Sequence, residues 1–132
     1  MTAPGVRLER ADERDKPVLW DLLTAYLIEH TQRVEPGRQY QPGGYPYFDS
    51  YWSEPEGRAY WIMRDGQRAG FALVNSYSPS GRGVDRSIAE FCVLPGHRRG
   101  GAGLAAAVAV LRAQPGLWEV QVYRANPDGA PF

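Results

Sequence analysis

Residues Val93–Val110 read VLPGHRRGGAGLAAAVAV. An apolar segment gives way to Pro95, then to two arginines and to Gly100, Gly101 and Gly103, and an alanine-rich run begins. A strand, a glycine turn and a helix start together form an anion site. First-turn amides have no acceptor within the helix, and the macrodipole is positive at that end. Glycines let the backbone approach a phosphate, and Arg98 and Arg99 can add charge-assisted contacts. The stretch reads as a pyrophosphate cradle; as a bare pattern it also reads as a flexible loop with two solvated arginines. Two nucleotide motifs are excluded. A Walker loop needs Gly-Lys-Ser/Thr where this chain has Gly103-Leu104. A GxGxxG fingerprint has only Ala106 for its third glycine, and it would have to follow the opening strand of a βαβ unit, not the fourth strand.

The flanking text supplies that strand count. RSIAEFCVL, residues 86–94, is a mostly apolar strand of the kind buried on both faces. Upstream, RAYWIMRDGQRAGFALVN holds two strand-like runs, 59–63 and 69–75, around Asp65-Gly66, a strong hairpin signal. Val6 to Leu8 is a short first strand. Asp12 or Asp15 then offers a helix N-cap, with Pro17 tolerable in the first turn. Leu19, Leu22, Leu23, Tyr26 and Leu27 recur at helical spacing, which predicts a helix to about Thr31. Between Glu35 and Pro55 no period is clean; Tyr40, Tyr45, Tyr47, Phe48, Tyr51 and Trp52 predict an aromatic loop with one short helix near 48–52. These aromatics pack over a core edge, form a substrate-contacting lid, or do both. After the cradle, Leu104, Val108 and Leu111 mark one helix face, Pro115-Gly116 stops the helix, and Trp118–Tyr123 alternates as a last strand. The order predicts an α/β (α+β) fold with a mixed sheet and helices packed on it.

Composition narrows the function classes. Lys+Arg and Asp+Glu are both 15, so no global field draws nucleic acid or an anionic membrane. Cys92 is the only cysteine, and His30 and His97 lie far apart, so neither a disulfide nor a structural metal is expected. The longest apolar run, Ala102 to Leu111, is about half the roughly 20 residues a membrane helix needs. With 132 residues and no polar linker, the expectation is one cytoplasmic domain spanning 1–132.

In this context the pattern V-x-P-x-x-R-x-x-G-x-G (Val93, Pro95, Arg98, Gly101, Gly103) resembles the acyl-CoA signature of GNAT-type N-acetyltransferases. The order of elements over roughly residues 6 to 126 is similar to that family as well. The resemblance implies a mostly antiparallel central sheet flanked by helices, with acetyl-CoA as co-substrate, no metal, and an amine as acceptor. It implies that the pyrophosphate is held by the loop residues Arg98, Arg99, Gly100, Gly101, Ala102, Gly103 and Leu104. The backbone of Phe91, Cys92 and Val93 would pair with the pantetheine, and Asn126 matches a family position that contacts the same arm, or is a turn residue before Pro127.

Direct transfer to an amine needs a base to remove an ammonium proton. Glu90 sits inside the apolar fourth strand, where a carboxylate is costly to bury without a purpose. Alternation puts it on one face with Ile88, Cys92 and Leu94, and desolvation there would raise its pKa. It is either the base or a carboxylate satisfied by an arginine such as Arg86 or Arg124. Cys92 reads as a small buried apolar residue, and His97 as packing or phosphate-adjacent. The family continues beyond its fifth strand with a helix that often carries the general acid, then with two strands, whereas this sequence runs out at NPDGAPF. Either the sequence is a fragment, or it is a shortened domain whose partner completes the sheet, or catalysis has been lost. If nothing follows Phe132, the expectation is a homodimer through the edge of the last strand. Two alternatives stay open: a non-catalytic acyl-CoA-binding module and a plain protein-interaction domain.

Overall fold

Asp65 and Gly66 take φ of 51° and 79°, the double positive-φ turn whose twist matches that of paired strands. They join β2 (Arg58–Arg64) to β3 (Gln67–Asn75) in a computed structural model that describes residues 5–39, 45–98 and 100–120. Around this hairpin, β1 (Val6–Arg10) pairs with β2 and β4 (Arg86–Val93) with β3, all antiparallel, while β5 (Trp118–Val120) lies parallel to β4. The described strands form one sheet in the order β1-β2-β3-β4-β5.

Helices cover both faces. On one, Leu19 and Leu23 of α1 (Lys16–Val34), Phe48, and Tyr51 of α2 (Ser50–Ser53) pack on Trp61, Phe71, Leu73 and Cys92. On the other, Ala106 and Val110 of α3 (Ala102–Ala113) pack over the Tyr60, Ile62, Ala72 and Ile88 side of the sheet. Because both faces are covered, β2 and β3 read as nearly continuous apolar runs rather than alternating ones.

Three expectations are corrected by packing. The face of α3 that meets the sheet is Ala102, Ala105, Ala106 and Val110, whereas Leu104 and Leu111 are 48% and 39% exposed. Alanines let the helix approach closely, and the bulkier leucines are turned outward. Helix α1 runs to Val34 rather than stopping near Thr31, since the Glu29–Arg33 pair at i, i+4 supports its last turn before Pro36-Gly37. Asp12 caps a preceding 3-10 turn through the Arg14 amide (2.8 Å). Asp15 makes no cap bond to α1; its carboxylate instead accepts from Arg68 at 3.0 Å and from the buried Trp61 indole at 3.4 Å. The last strand is described only to Val120, so the rest of the expected 118–123 segment, with Asn126, Arg124 and Tyr40, lies outside the described residues.

Candidate functional site

Strand β4 does not run evenly beside β3. Leu73 is opposite Glu90, but Val74 is opposite Ile88, so Ala89 has no counterpart and forms a bulge. A bulge re-aims the side chains that follow it. Ile88 therefore faces α3 with Val74, while Glu90 shares the α1 face with Leu73 and Cys92. This corrects simple alternation, which grouped Ile88 with Glu90; Cys92 and Leu94 stay in that group.

Burial pushes the Glu90 carboxyl up to about 7, with desolvation as the cause. Among the described residues no arginine or lysine forms an ion pair with it; Arg86, the described candidate partner, keeps its Nε buried without a hydrogen bond. Glu90 looks instead onto tyrosines. Tyr45 and Tyr51 exchange a hydroxyl hydrogen bond at 2.6 Å, and Tyr51 also bonds to Asn75 at the end of β3. Burial raises both phenols, Tyr51 to about 12, and the nearby Glu90 carboxylate raises both further. Tyr26 completes the wall, stacked on His30 and edge-on to Phe71. The aromatic segment thus does two things at once: Phe48 and Tyr51 seal the core, and Tyr45 borders the carboxylate.

The glycine loop starts where β4 ends. Pro95–His97 form a 3-10 turn, and Gly100 and Gly101 take φ of 81° and 80°, where only glycine is unstrained. Gly101 is the N-cap of α3, and the Ala105 amide donates to its carbonyl at 3.0 Å. The amides of Ala102, Gly103 and Leu104 precede that bond and have no acceptor within the helix. Among the described residues, a β-carbon added at Gly101 would meet no atom within 4 Å, and one at Gly103 only a Val93 methyl at 4.0 Å, so the described backbone there faces open space. The described register between β4 and β5 ends at the Ile88–Val120 pair.

The fold, the bulged fourth strand and the helix N-terminus at an open glycine loop coincide with one family. The family model for the acetyltransferase (GNAT) family matches residues 20–128. The chain belongs to that family. Solved structures share the GNAT fold at low identity. An integron cassette protein from the mobile metagenome of Cole Harbour Salt Marsh aligns with a TM-score of 0.59 at 24% identity, over 83% of this chain and 69% of that one. A ribosomal-protein-alanine N-acetyltransferase from Brucella melitensis biovar Abortus 2308 gives 0.56 at 19%, over 82% and 70%. An integron cassette protein from V. cholerae gives 0.54 at 16%, over 93% and 78%. No curated protein matches the chain. Membership of the GNAT family carries acetyl transfer from acetyl-CoA as the general activity.

The expected site residues that are described divide between the two faces of β4 and the loop after it. Glu90 and Cys92 share the α1 face; Phe91 and Val93 point toward α3. Burial pushes the Cys92 thiol up to about 11, which leaves it an apolar packing residue at neutral pH. Gly100 to Leu104 form the open loop and helix start, while Arg99 and Asn126 lie outside the described residues. Arg98 departs from expectation in its side chain. Its guanidinium turns back to the Val93 carbonyl (2.7 Å) and to Glu29 of α1 (3.2 Å) rather than out over the loop. Two residues escaped the sequence reading. Asn75 gave no signal beyond closing a strand-like run. Arg64, at the end of β2, donates to the His97 carbonyl at 3.3 Å and would lie 2.9 Å from a β-carbon on Gly100. Only the folded chain brings these together. Among the described residues no cluster could hold a metal, and no helix is long and apolar enough to cross a membrane.

Proposed function

We propose that this chain is an N-acetyltransferase that passes the acetyl group of acetyl-CoA directly to a primary amine, with Glu90 as general base. The observation that carries the reading is the Glu90 carboxyl, raised to about 7 by burial, with no cationic partner among the described residues and in the same strand that leads into the glycine loop. A base of that strength is half-ionised near neutral pH, where it can take a proton from an ammonium and hold it.

The parts divide as follows. The amides of residues 98–104 take the pyrophosphate, supported by the open space over Gly101 and Gly103 among the described residues. The end of β4, Phe91–Val93, and Asn126 receive the pantetheine arm. Tyr45, Tyr51 and Tyr26 line the acceptor side, and the incoming ammonium supplies the positive charge that Glu90 otherwise lacks. Acetyl-CoA, when bound, contributes the activated thioester; the chain's residues orient it, exclude water and move the proton. The same reading has a single cytoplasmic domain, with no metal, nucleic-acid or membrane partner. It also has a homodimer, supported by the place of β5 at the end of the described sheet and by its 40% exposed Val120.

Turnover decides between an enzyme and a CoA-binding module. Incubation with acetyl-CoA and a panel of primary amines should release CoA at a rate that depends on the amine. Tight CoA binding with no release for any amine would make the chain a binding module.

A further inference from the structure

Glu29 sits on α1, 69 residues from Arg98 in sequence, yet its Oε1 accepts from Arg98 NH1 at 3.2 Å. The same carboxylate pairs with Arg33 one turn further along α1. Arg98 in turn donates through Nε to the Val93 carbonyl, the last residue of β4, at 2.7 Å. One guanidinium therefore joins three parts: the last residue of β4, the start of the glycine loop, and the helix that lines the acceptor side. Arg98 is the arginine of the loop signature, whose obvious role is to neutralise phosphate with its side chain; in this fold its Nε and one terminal nitrogen are taken up by Val93 and Glu29. The Glu29 carboxyl is held below its ordinary range, first by the Arg98 hydrogen bond, so the contact favours the charged pair.

We infer that Glu29 is a positioning residue for acetyl-CoA: through Arg98 it holds the 98–104 loop in the shape that presents its amides to the pyrophosphate. The inference rests on the proposed CoA site and deepens it. Its physical content is a sign. If Arg98 served mainly as a phosphate ligand, Glu29 would compete for it, and removing the carboxylate would tighten CoA binding. Simple Coulomb attraction points the same way, because Glu29→Gln adds one unit of positive charge near an anionic ligand. Loop positioning gives the opposite sign: the pair is partly exposed, with side chains 40% and 33% accessible, so its loss should weaken binding modestly, by about fivefold.

The test is CoA affinity by calorimetry for the full chain, with the melting temperature measured alongside. Glu29→Gln should raise Kd about fivefold with little change in melting temperature, and Arg98→Gln should raise it at least as much. The double variant should be no weaker than Arg98→Gln alone, because both changes break one link. Should Glu29→Gln fold poorly, Arg98→Lys serves instead: it keeps the charge but has one donor head, cannot hold Val93 and Glu29 together, and should lose part of the affinity. A Glu29→Gln variant that binds CoA as well as the parent, or better, overturns the positioning role and leaves the proposed function standing. A parent chain that binds no CoA overturns both.

Discussion

The hydroxyls of Tyr45 and Tyr51 lie 2.6 Å apart, and the Glu90 carboxylate raises the pKa of both phenols. One phenol donates to the other, and Tyr51 is also tied to Asn75 at the end of β3. The proposed function seats the acceptor amine against Tyr45, in reach of Glu90. Tyr51→Phe removes the middle hydroxyl and leaves Tyr45, half-buried, short of a partner. Thermal or denaturant unfolding should show a loss of about 1 kcal/mol, the usual cost of one such bond. Acceptor KM should rise while CoA affinity stays put. A shift in CoA affinity instead would place the tyrosines on the cofactor side.

Glu90→Gln should lower the rate by roughly a hundredfold if general-base catalysis is lost. The parent's rate should rise with pH through about 7, the range to which burial raises Glu90, and the variant should lack that limb. Stability follows with the opposite sense. A carboxyl whose folded pKa exceeds its unfolded value binds more protons when folded, so the stability it contributes is full below about 4.5 and is lost as pH rises through about 7. Glu90→Gln should therefore be more stable than the parent at pH 8 by on the order of 2 kcal/mol, and close to it at pH 4. Parallel denaturant curves at the two pH values check this; equal stability at both would mean that the carboxylate finds a partner.

Gly101→Asp separates folding from binding. An added β-carbon meets no described atom within 4 Å, and aspartate is a favoured N-cap residue, but φ of 80° strains any non-glycine backbone. The net stability change should be within about 1 kcal/mol. CoA binding should vanish, because the side chain and its charge enter the space proposed for the pyrophosphate. Calorimetry showing undiminished CoA affinity would remove the loop from the site.

Gly70 is the reverse case, a glycine needed for packing alone. It lies opposite Val93, and a β-carbon there would stand 2.0 Å from the Cys92 carbonyl oxygen and 3.0 Å from the Val93 Cα. Both atoms are backbone and can move only if β3 and β4 part. Gly70→Ala should cost about 3 kcal/mol or more, visible as a large fall in melting temperature. A fall of only a few degrees would show that the strands separate easily at this point.

The local elements were legible in the sequence because each is written in neighbouring residues. Asp65-Gly66 dictates a positive-φ turn wherever it occurs between strand-like runs, and Pro95 with three glycines dictates a loop before the alanine helix. A carboxylate at position 90 in an otherwise apolar run also marks itself, since its burial has a cost that sequence alone can register. Tertiary structure decided what neighbours could not. The bulge at Ala89 depends on how β4 meets β3, and it put Ile88 on the α3 face and Glu90 on the other. Close packing turned the alanines of α3 inward and its leucines outward, against the ranking by hydrophobicity. Arg98 was legible as a charge beside a phosphate loop, but its choice of Glu29 joins residues 69 positions apart. Periodicity and turn chemistry act over a few residues; side-chain pairing across elements is settled only when the sheet brings their backbones together.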